Sequence, residues 1–363
     1  MIPIVKPYLP DSDKYKHYID GIFARNYLTN NGPLLRELEC KLAEYFDVPY
    51  LLLVSNGTIA IQVAMMALDV KSKVITTPFS FAATSSTLAC QGITPIFADI
   101  DNNSLNIDVD SIDKQSLQEA TAFLPVHVYG NVCNVEKIDK LAKQYDLKVI
   151  YDAAHTFGAT YKGKSLMSYG DAATISLHAT KIFHTVEGGA IAFKRKEDYL
   201  KAKQLINFGF NENNIPNLVG LNAKLSEIHA AMGLCLFDEV DNITEHRAAL
   251  YDYYYQNLKS VVSFPQFNDD CLPNGAYVPI LLNDEQELLA LQSELLSHDI
   301  QTRRYFYPSL SEMKCYQGLG VTPVANDVCK RVLCLPMYYE LTFEQVDDIS
   351  QLVSSLLLSI RAT

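Results

Sequence analysis

Tryptophan is absent from this chain of 363 residues, so any flat ligand that stacks on a ring must use Phe, Tyr or His. Positive charge is scarce. The 30 Lys and Arg stand against 42 Asp and Glu, for a net charge of −12. That balance argues against a nucleic-acid binder, which needs a basic face to displace counterions. It leaves room for a small anionic substrate, because a few local cations can hold one in an acidic protein. None of the eight cysteines forms a C-x-x-C pair, so a metal framework and a disulfide framework are both weak readings. Free thiols in a chain of this size suggest a reducing compartment. No apolar run approaches the ~20 residues of a membrane span. The start, MIPIVKPYLPD, is broken by prolines and a lysine and has no signal-peptide pattern. A cytoplasmic protein without membrane contact is expected. There is no internal repeat and no low-complexity stretch.

What is present is an alternation of helix-like and strand-like segments. LLRELECKLAEYF (34–46) has apolar residues at helical spacing, and YLLLVS (50–55) is a short buried strand. Apolar helices at 57–68 and 81–92 alternate with strands at 73–78, 93–100 and 121–130. An amphipathic helix at 135–146 precedes a strand at 147–154 that ends in a polar tip. This order predicts an α/β fold with a mostly parallel sheet and helices on both faces. Ligands of such sheets bind at the carboxyl ends of the strands. The pattern changes near residue 240. A long linking helix (244–260), GAYVPILLN (275–283), a helix at 285–299, IQTRRYF (300–306) and a last helix at 343–360 read as a smaller α+β unit. The expected domains are therefore 13–240 and 241–363, with residues 1–12 extended and packed on the second.

Four segments carry chemistry. In SLHATKIFHTVEGGAIAF (176–193), Lys181 is flanked by a Ser, a Thr and apolar residues, with no carboxylate beside it. A Schiff-base amine needs such a partly desolvated site, where its neutral form is accessible. A surface lysine in a loop is the bland alternative. Gly188 and Gly189 would let backbone pass close to a ligand. In VIYDAAHTFGA (149–159), Asp152 stands at the end of an apolar strand, where its carboxylate can pair with a pyridine nitrogen; a helix N-cap is the alternative. VSNGTIAIQVAMMAL (54–68) opens a helix with Ser55, Asn56, Gly57 and Thr58, and free amides there can bind an anion. Phe81, in TTPFSFAATSS (76–86), can stack on a flat ring or fill the core.

In this order, and with YLTNNGPLLRELE (27–39), PVHVYGN (125–131), GLNAKLSEIHAAMGL (220–234) and LPMYYELTFEQVDDI (335–349), these segments resemble the DegT/DnrJ/EryC1/StrS sugar aminotransferases over nearly the whole chain. The resemblance implies an aspartate aminotransferase-like, fold type I enzyme that uses pyridoxal 5′-phosphate (PLP). It implies that Lys181 carries PLP as a Schiff base and serves as general acid and base. It places Asp152 on the pyridine nitrogen, Phe81 on the ring, and Gly57, Thr58 and Ser176 at the phosphate. His155 falls where the family often has Gln, near the ring hydroxyl. Asn222 aligns with an asparagine that reaches the phosphate from the partner subunit, which implies a homodimer with shared sites. The expected substrates are L-glutamate and a nucleotide-linked keto-sugar. KIFHTVEGG and GLNAKLSE look most like the branch that aminates C4 of dTDP-4-keto-6-deoxyglucose, on the way to surface polysaccharide. The alternatives are C3 amination of a dTDP-3-keto-6-deoxyhexose, or a non-catalytic relative that keeps the fold. Expected substrate contacts are Thr29, Asn31 and His184 for the sugar, and Arg303 or Arg304 with Tyr305 and Tyr307 for the nucleotide.

Overall fold

In the computed structural model, which describes residues 1–362, a seven-stranded sheet forms the centre of the molecule. Its strands are β1 (Tyr50–Val54), β2 (Lys73–Thr76), β3 (Thr94–Phe97), β4 (Ala122–Leu124), β5 (Lys148–Asp152), β8 (Ala172–Ser176) and β9 (Gly189–Phe193). A small ribbon of β6 (Thr160–Tyr161), β7 (Lys164–Ser165) and β10 (Cys271–Leu272) lies apart from it. The order across the large sheet is β1-β9-β8-β5-β4-β2-β3, parallel throughout except that β9 runs antiparallel to both neighbours.

Alternate residues on each strand point to opposite faces. Leu52, Val74, Leu124, Ile150 and Ile191 meet one helical layer, in which α3 (Gly57–Ala67) and α7 (Lys196–Leu205) pack beside α4 (Ala82–Cys90). Leu53, Ile75, Phe123, Tyr151 and Ile175 meet the other, which contains α2 (Pro33–Tyr45), α6 (Val135–Tyr145) and α8 (Glu227–Phe237). A sheet buried on both faces explains why its strands read as continuous apolar runs. Met65 on α3 is wholly buried, and its truncation to Ala would cost about 2–5 kcal/mol.

Helix α9 (Val240–Leu258) leads out of this part. Strands β11 (Val278–Leu281) and β12 (Val332–Leu335) pair antiparallel. Leu250 and Tyr254 of α9, Leu288 of α10 (Glu285–Ser297) and Ile349 of α12 (Phe343–Ala362) share a core with them. The amino-terminal segment threads through the same region. The Ile2 amide donates to Asp299 O, Gln301 N donates to Ile2 O, and Met337 N donates to Ile4 O. Among the described residues, no helix is long and apolar enough to cross a membrane.

The structure adds to the sequence reading and corrects it. Helix α1 (Ser12–Arg25), capped by Asp11, was not anticipated, although Tyr15, Tyr18, Ile19 and Ile22 recur at helical spacing and pack on the core. The strand expected over 121–130 ends at Leu124. Pro125 has no amide to donate, and the chain then turns with Tyr129 in the left-handed region, at φ 55°. Segment 300–306, read only as part of the α+β unit, forms no regular strand and pairs at Ile300 and Arg303.

Candidate active site

The ends of β5 and β8, the start of α3 and the loop after β8 surround a cavity of about 340 Å³. Asn56 caps α3, its side-chain oxygen accepting from Ile59 N at 2.8 Å. The amides of Gly57 and Thr58 precede the first intrahelical bonds, and both residues line the cavity with Ser176. A Cβ on Gly57 would lie 2.8 Å from Ser176 Cβ, so glycine is what lets α3 begin against the end of β8. Gly188 and Gly189 serve a different closeness from the one expected. Their Cβ positions would meet Thr185 Oγ1 at 2.0 Å and the Asn56 backbone at 2.6 Å. Protein, not a ligand, crowds them.

Asp152 ends β5 and is buried. Its Oδ2 accepts from Thr84 Oγ1 at 2.8 Å, and its Oδ1 from Ala154 N at 3.2 Å. No helix follows it, so it is not an N-cap. Burial raises its pKa, against the pull of both hydrogen bonds and of Lys181. The Lys181 amine lies in the loop beyond β8 and donates to Tyr277 Oη at 3.2 Å. Burial pushes its pKa down to about 8, with Asp152 opposing. A neutral amine is therefore accessible near neutral pH.

His155 is buried and accepts from Tyr129 N at Nδ1, 3.3 Å away, which puts the proton of the neutral ring on Nε2. Burial holds its pKa well below the usual imidazole value. Its ring lies near-parallel to those of Tyr129 and Phe306. Phe81 lines the cavity and is 63% exposed, so it is not a core phenylalanine.

The two arginines separate. Arg303 lines the cavity with its guanidinium 4.8 Å from the centroid of Tyr305, which also lines it. Among the described residues Arg303 has no carboxylate within ion-pair distance, whereas Arg304 pairs with Glu285 at 2.6 Å and covers the ring of Tyr307. His184 is corrected from sugar contact to core residue. It is 1% exposed, its Nε2 bonds to Tyr8 O at 2.8 Å, and its Nδ1 accepts from Val186 N. Both ring nitrogens are occupied by backbone. His178 of the same loop lines the cavity instead, 3.6 Å from Glu187. Thr29 and Asn31 sit exposed between α1 and α2 and do not line this chain's cavity. Nor does Asn222, which is exposed and bridges Asn207; the cap of α8 is Ser226.

Thr84, Tyr129 and Tyr277 escaped the sequence reading. Each lay inside a segment read as plain helix or strand, and only the fold brings them to Asp152, His155 and Lys181. Among the described residues, no group of three or more His, Cys, Asp or Glu is placed to hold a metal.

The profile of the DegT/DnrJ/EryC1/StrS aminotransferase family matches residues 11–354. A dTDP-4-amino-4,6-dideoxy-D-glucose transaminase of Shigella dysenteriae is 39% identical over 353 residues, which cover 95% of this chain and 96% of that one. A GDP-perosamine synthase of Escherichia coli O157:H7 is 30% identical over 349 residues, 95% of each chain. Among solved structures, DesI in the presence of its TDP-sugar product superposes with a TM-score of 0.93 at 28% identity, covering 99% of this chain and 95% of that one.

Proposed function

The chain belongs to the DegT/DnrJ/EryC1/StrS aminotransferase family, and from that premise we propose that it moves an amino group from L-glutamate to C4 of dTDP-4-keto-6-deoxy-D-glucose, giving dTDP-4-amino-4,6-dideoxy-D-glucose. It is a PLP-dependent sugar aminotransferase. The observation that carries the named substrate is the nearly full-length likeness to the Shigella transaminase. Likeness to GDP-perosamine synthase supports a second reading, a GDP-linked sugar at the same site.

The cavity fits PLP on three counts. It offers a desolvated amine at Lys181, a buried carboxylate at Asp152, and a helix start at Gly57 where any Cβ would collide with Ser176. When bound, PLP supplies the electron sink that makes a carbon–hydrogen bond beside nitrogen acidic. Gly57, Thr58 and Ser176 would hold its phosphate, Asp152 its pyridine nitrogen, His155 Nε2–H its ring hydroxyl, and Phe81 one ring face. Lys181 Nζ takes the proton from the donor's α-carbon, and a neutral amine at about pH 8 suits that task. Arg303 faces the diphosphate as the unpaired cation of the cavity wall.

A homodimer accounts for the residues that this chain's own cavity lacks. Phe208, Ile215 and Val219 are 50%, 57% and 89% exposed in the stretch just before Asn222, and such apolar exposure suits a subunit interface. Asn222, Thr29 and Asn31 would then complete the partner's site. All eight cysteines are free, which suits the cytoplasm.

The test is the absorbance spectrum of the purified protein, followed through addition of L-glutamate and then of dTDP-4-keto-6-deoxyglucose. The cofactor band should bleach with the first and return with the second, and product NMR should place nitrogen at C4. A band that returns only with a GDP-linked keto-sugar selects the second reading. Protein that never takes up PLP would sink both.

A further inference from the structure

Tyr277 stands ahead of β11, and its place is fixed from two sides. Asn274 Nδ2 donates to the carbonyls of His155 and Phe157, at 2.7 and 2.8 Å. The buried Arg247 of α9 donates through Nε to Gly275 O and through Nη2 to Ala276 O, each at 3.1 Å. Gly275 itself is left-handed, at φ 63°, and a Cβ there would meet Arg247 O at 2.3 Å. The three residues before Tyr277 are thus clamped to the loop that holds His155 and to α9. The tyrosine ring is wedged edge-on against His155 and Tyr305, with both centroid separations 4.9 Å. Its hydroxyl is left aimed at the Lys181 amine.

We infer that Tyr277 is a positioning residue for Lys181, whose hydroxyl holds the free amine between its acts as base and turns the nitrogen's lone pair toward the reacting carbon. This rests on the transamination reading. The amine donates one N–H to Tyr277 Oη, so its orientation is set without using the lone pair that must accept the substrate proton. Once the proton has moved from the α-carbon to Nζ, the resulting ammonium makes a stronger, charge-assisted bond to the same oxygen. Asp152 is the other group that favours the ammonium, and His155 faces it as a neutral ring. The charges and thiol that face Tyr277 are Arg247, Arg303 and Cys334. Burial raises the pKa of the phenol, which keeps it an uncharged partner for the amine.

Tyr277→Phe keeps every ring contact and removes one atom. Two measurements separate positioning from mere packing. The first is the pH profile of PLP capture by cofactor-stripped protein, followed by absorbance. Loss of the acceptor weakens the ammonium form, so the rising limb of capture should move down by about one pH unit. The second is the single-turnover reaction of the holoenzyme with L-glutamate carrying hydrogen or deuterium at the α-carbon. The rate should fall about 10-fold and the isotope effect rise, with the KM for glutamate unchanged, because proton transfer alone is impaired. A variant whose capture profile and isotope effect both match wild type overturns the assignment. In that case a wild type that still transaminates leaves the proposed function standing, so the two readings fail separately.

Discussion

Arg303 and Arg304 are neighbours in sequence with opposite surroundings, and substitution should separate them. Arg303→Ala should raise the KM for the nucleotide-sugar about 10-fold, the worth of one charged hydrogen bond. Arg304→Ala should leave it within about twofold, since that side chain is occupied by Glu285 and Tyr307. Steady-state kinetics with varied sugar decide it. Asp152→Asn keeps the shape that receives Thr84 Oγ1 but removes the charge. The glutamate half-reaction should slow about 100-fold or more by stopped-flow absorbance. Glu39 gives a pH effect remote from catalysis. Burial raises its pKa to about 7, although its Oε1 accepts from Leu53 N on the edge strand β1. A carboxyl whose folded pKa lies above its unfolded one favours the fold at low pH and loses that contribution as pH rises through about 7. Glu39→Gln should therefore stabilise the fold over wild type at pH 8, read as a higher Tm and worth up to about 3 kcal/mol, and the difference should shrink as pH falls and vanish only below the ordinary carboxyl value of about 4.5. At this scale the sequence showed the residues whose chemistry is local. Asp152, Gly57 and Phe81 sit at strand or helix ends that the alternation already located, while Lys181 stood out by its flanking residues in a loop. Tyr277 lies 96 residues from Lys181, and nothing near it in the chain betrays the contact. His184 misled because spacing from the lysine says nothing about which way a loop folds. Its burial against Tyr8 depends on a segment at the other end of the sequence.

The start of α3 is built by three elements at once: its own cap at Asn56, the end of β8 at Ser176, and β9 entering at Gly189. Gly57→Ala should push the helix start off Ser176 and weaken PLP by at least about 10-fold, read as cofactor lost on dialysis. The fold itself should persist, as circular dichroism will show, because the core of α3 lies further along at Ala60, Ile61 and Val63 to Met65. Elements were legible where burial imposes a period or a continuous apolar run. That holds for α2, α3, α6 and the strands β1 to β5, though not for β8. It holds for α1 too, whose Tyr15, Tyr18, Ile19 and Ile22 keep helical spacing on the core, but the polar residues between them and the extended start hid it from the reading. At 300–306 there was no period to read, because Arg303, Tyr305 and Phe306 line a cavity rather than a sheet.

Across the whole molecule, the cavity of one chain has Lys181 and Asp152 but not Asn222, Thr29 or Asn31. Shared sites make a specific demand. Lys181→Ala chains and Asn222→Ala chains should each be poorly active. Unfolded together and refolded as a one-to-one mixture, they should recover about a quarter of wild-type turnover, because half the dimers then hold one intact site of two. No recovery, with mixed dimers shown by mass, would mean that each chain works alone. The order of the chain brings a further consequence, in time rather than space. Ile4 and Val5 line the cavity beside Leu335 and Met337. One stretch of its wall therefore precedes the facing stretch by about 330 residues of chain. At about 5–20 residues per second, the ribosome separates them by on the order of 20–70 s. Until then the amino-terminal segment has no Asp299, Ile300 or Met337 to pair with. A chain made only as far as β9 holds the large sheet and Lys181 but lacks this facing stretch of wall, so closure of the cavity around a cofactor waits for residues 335–337.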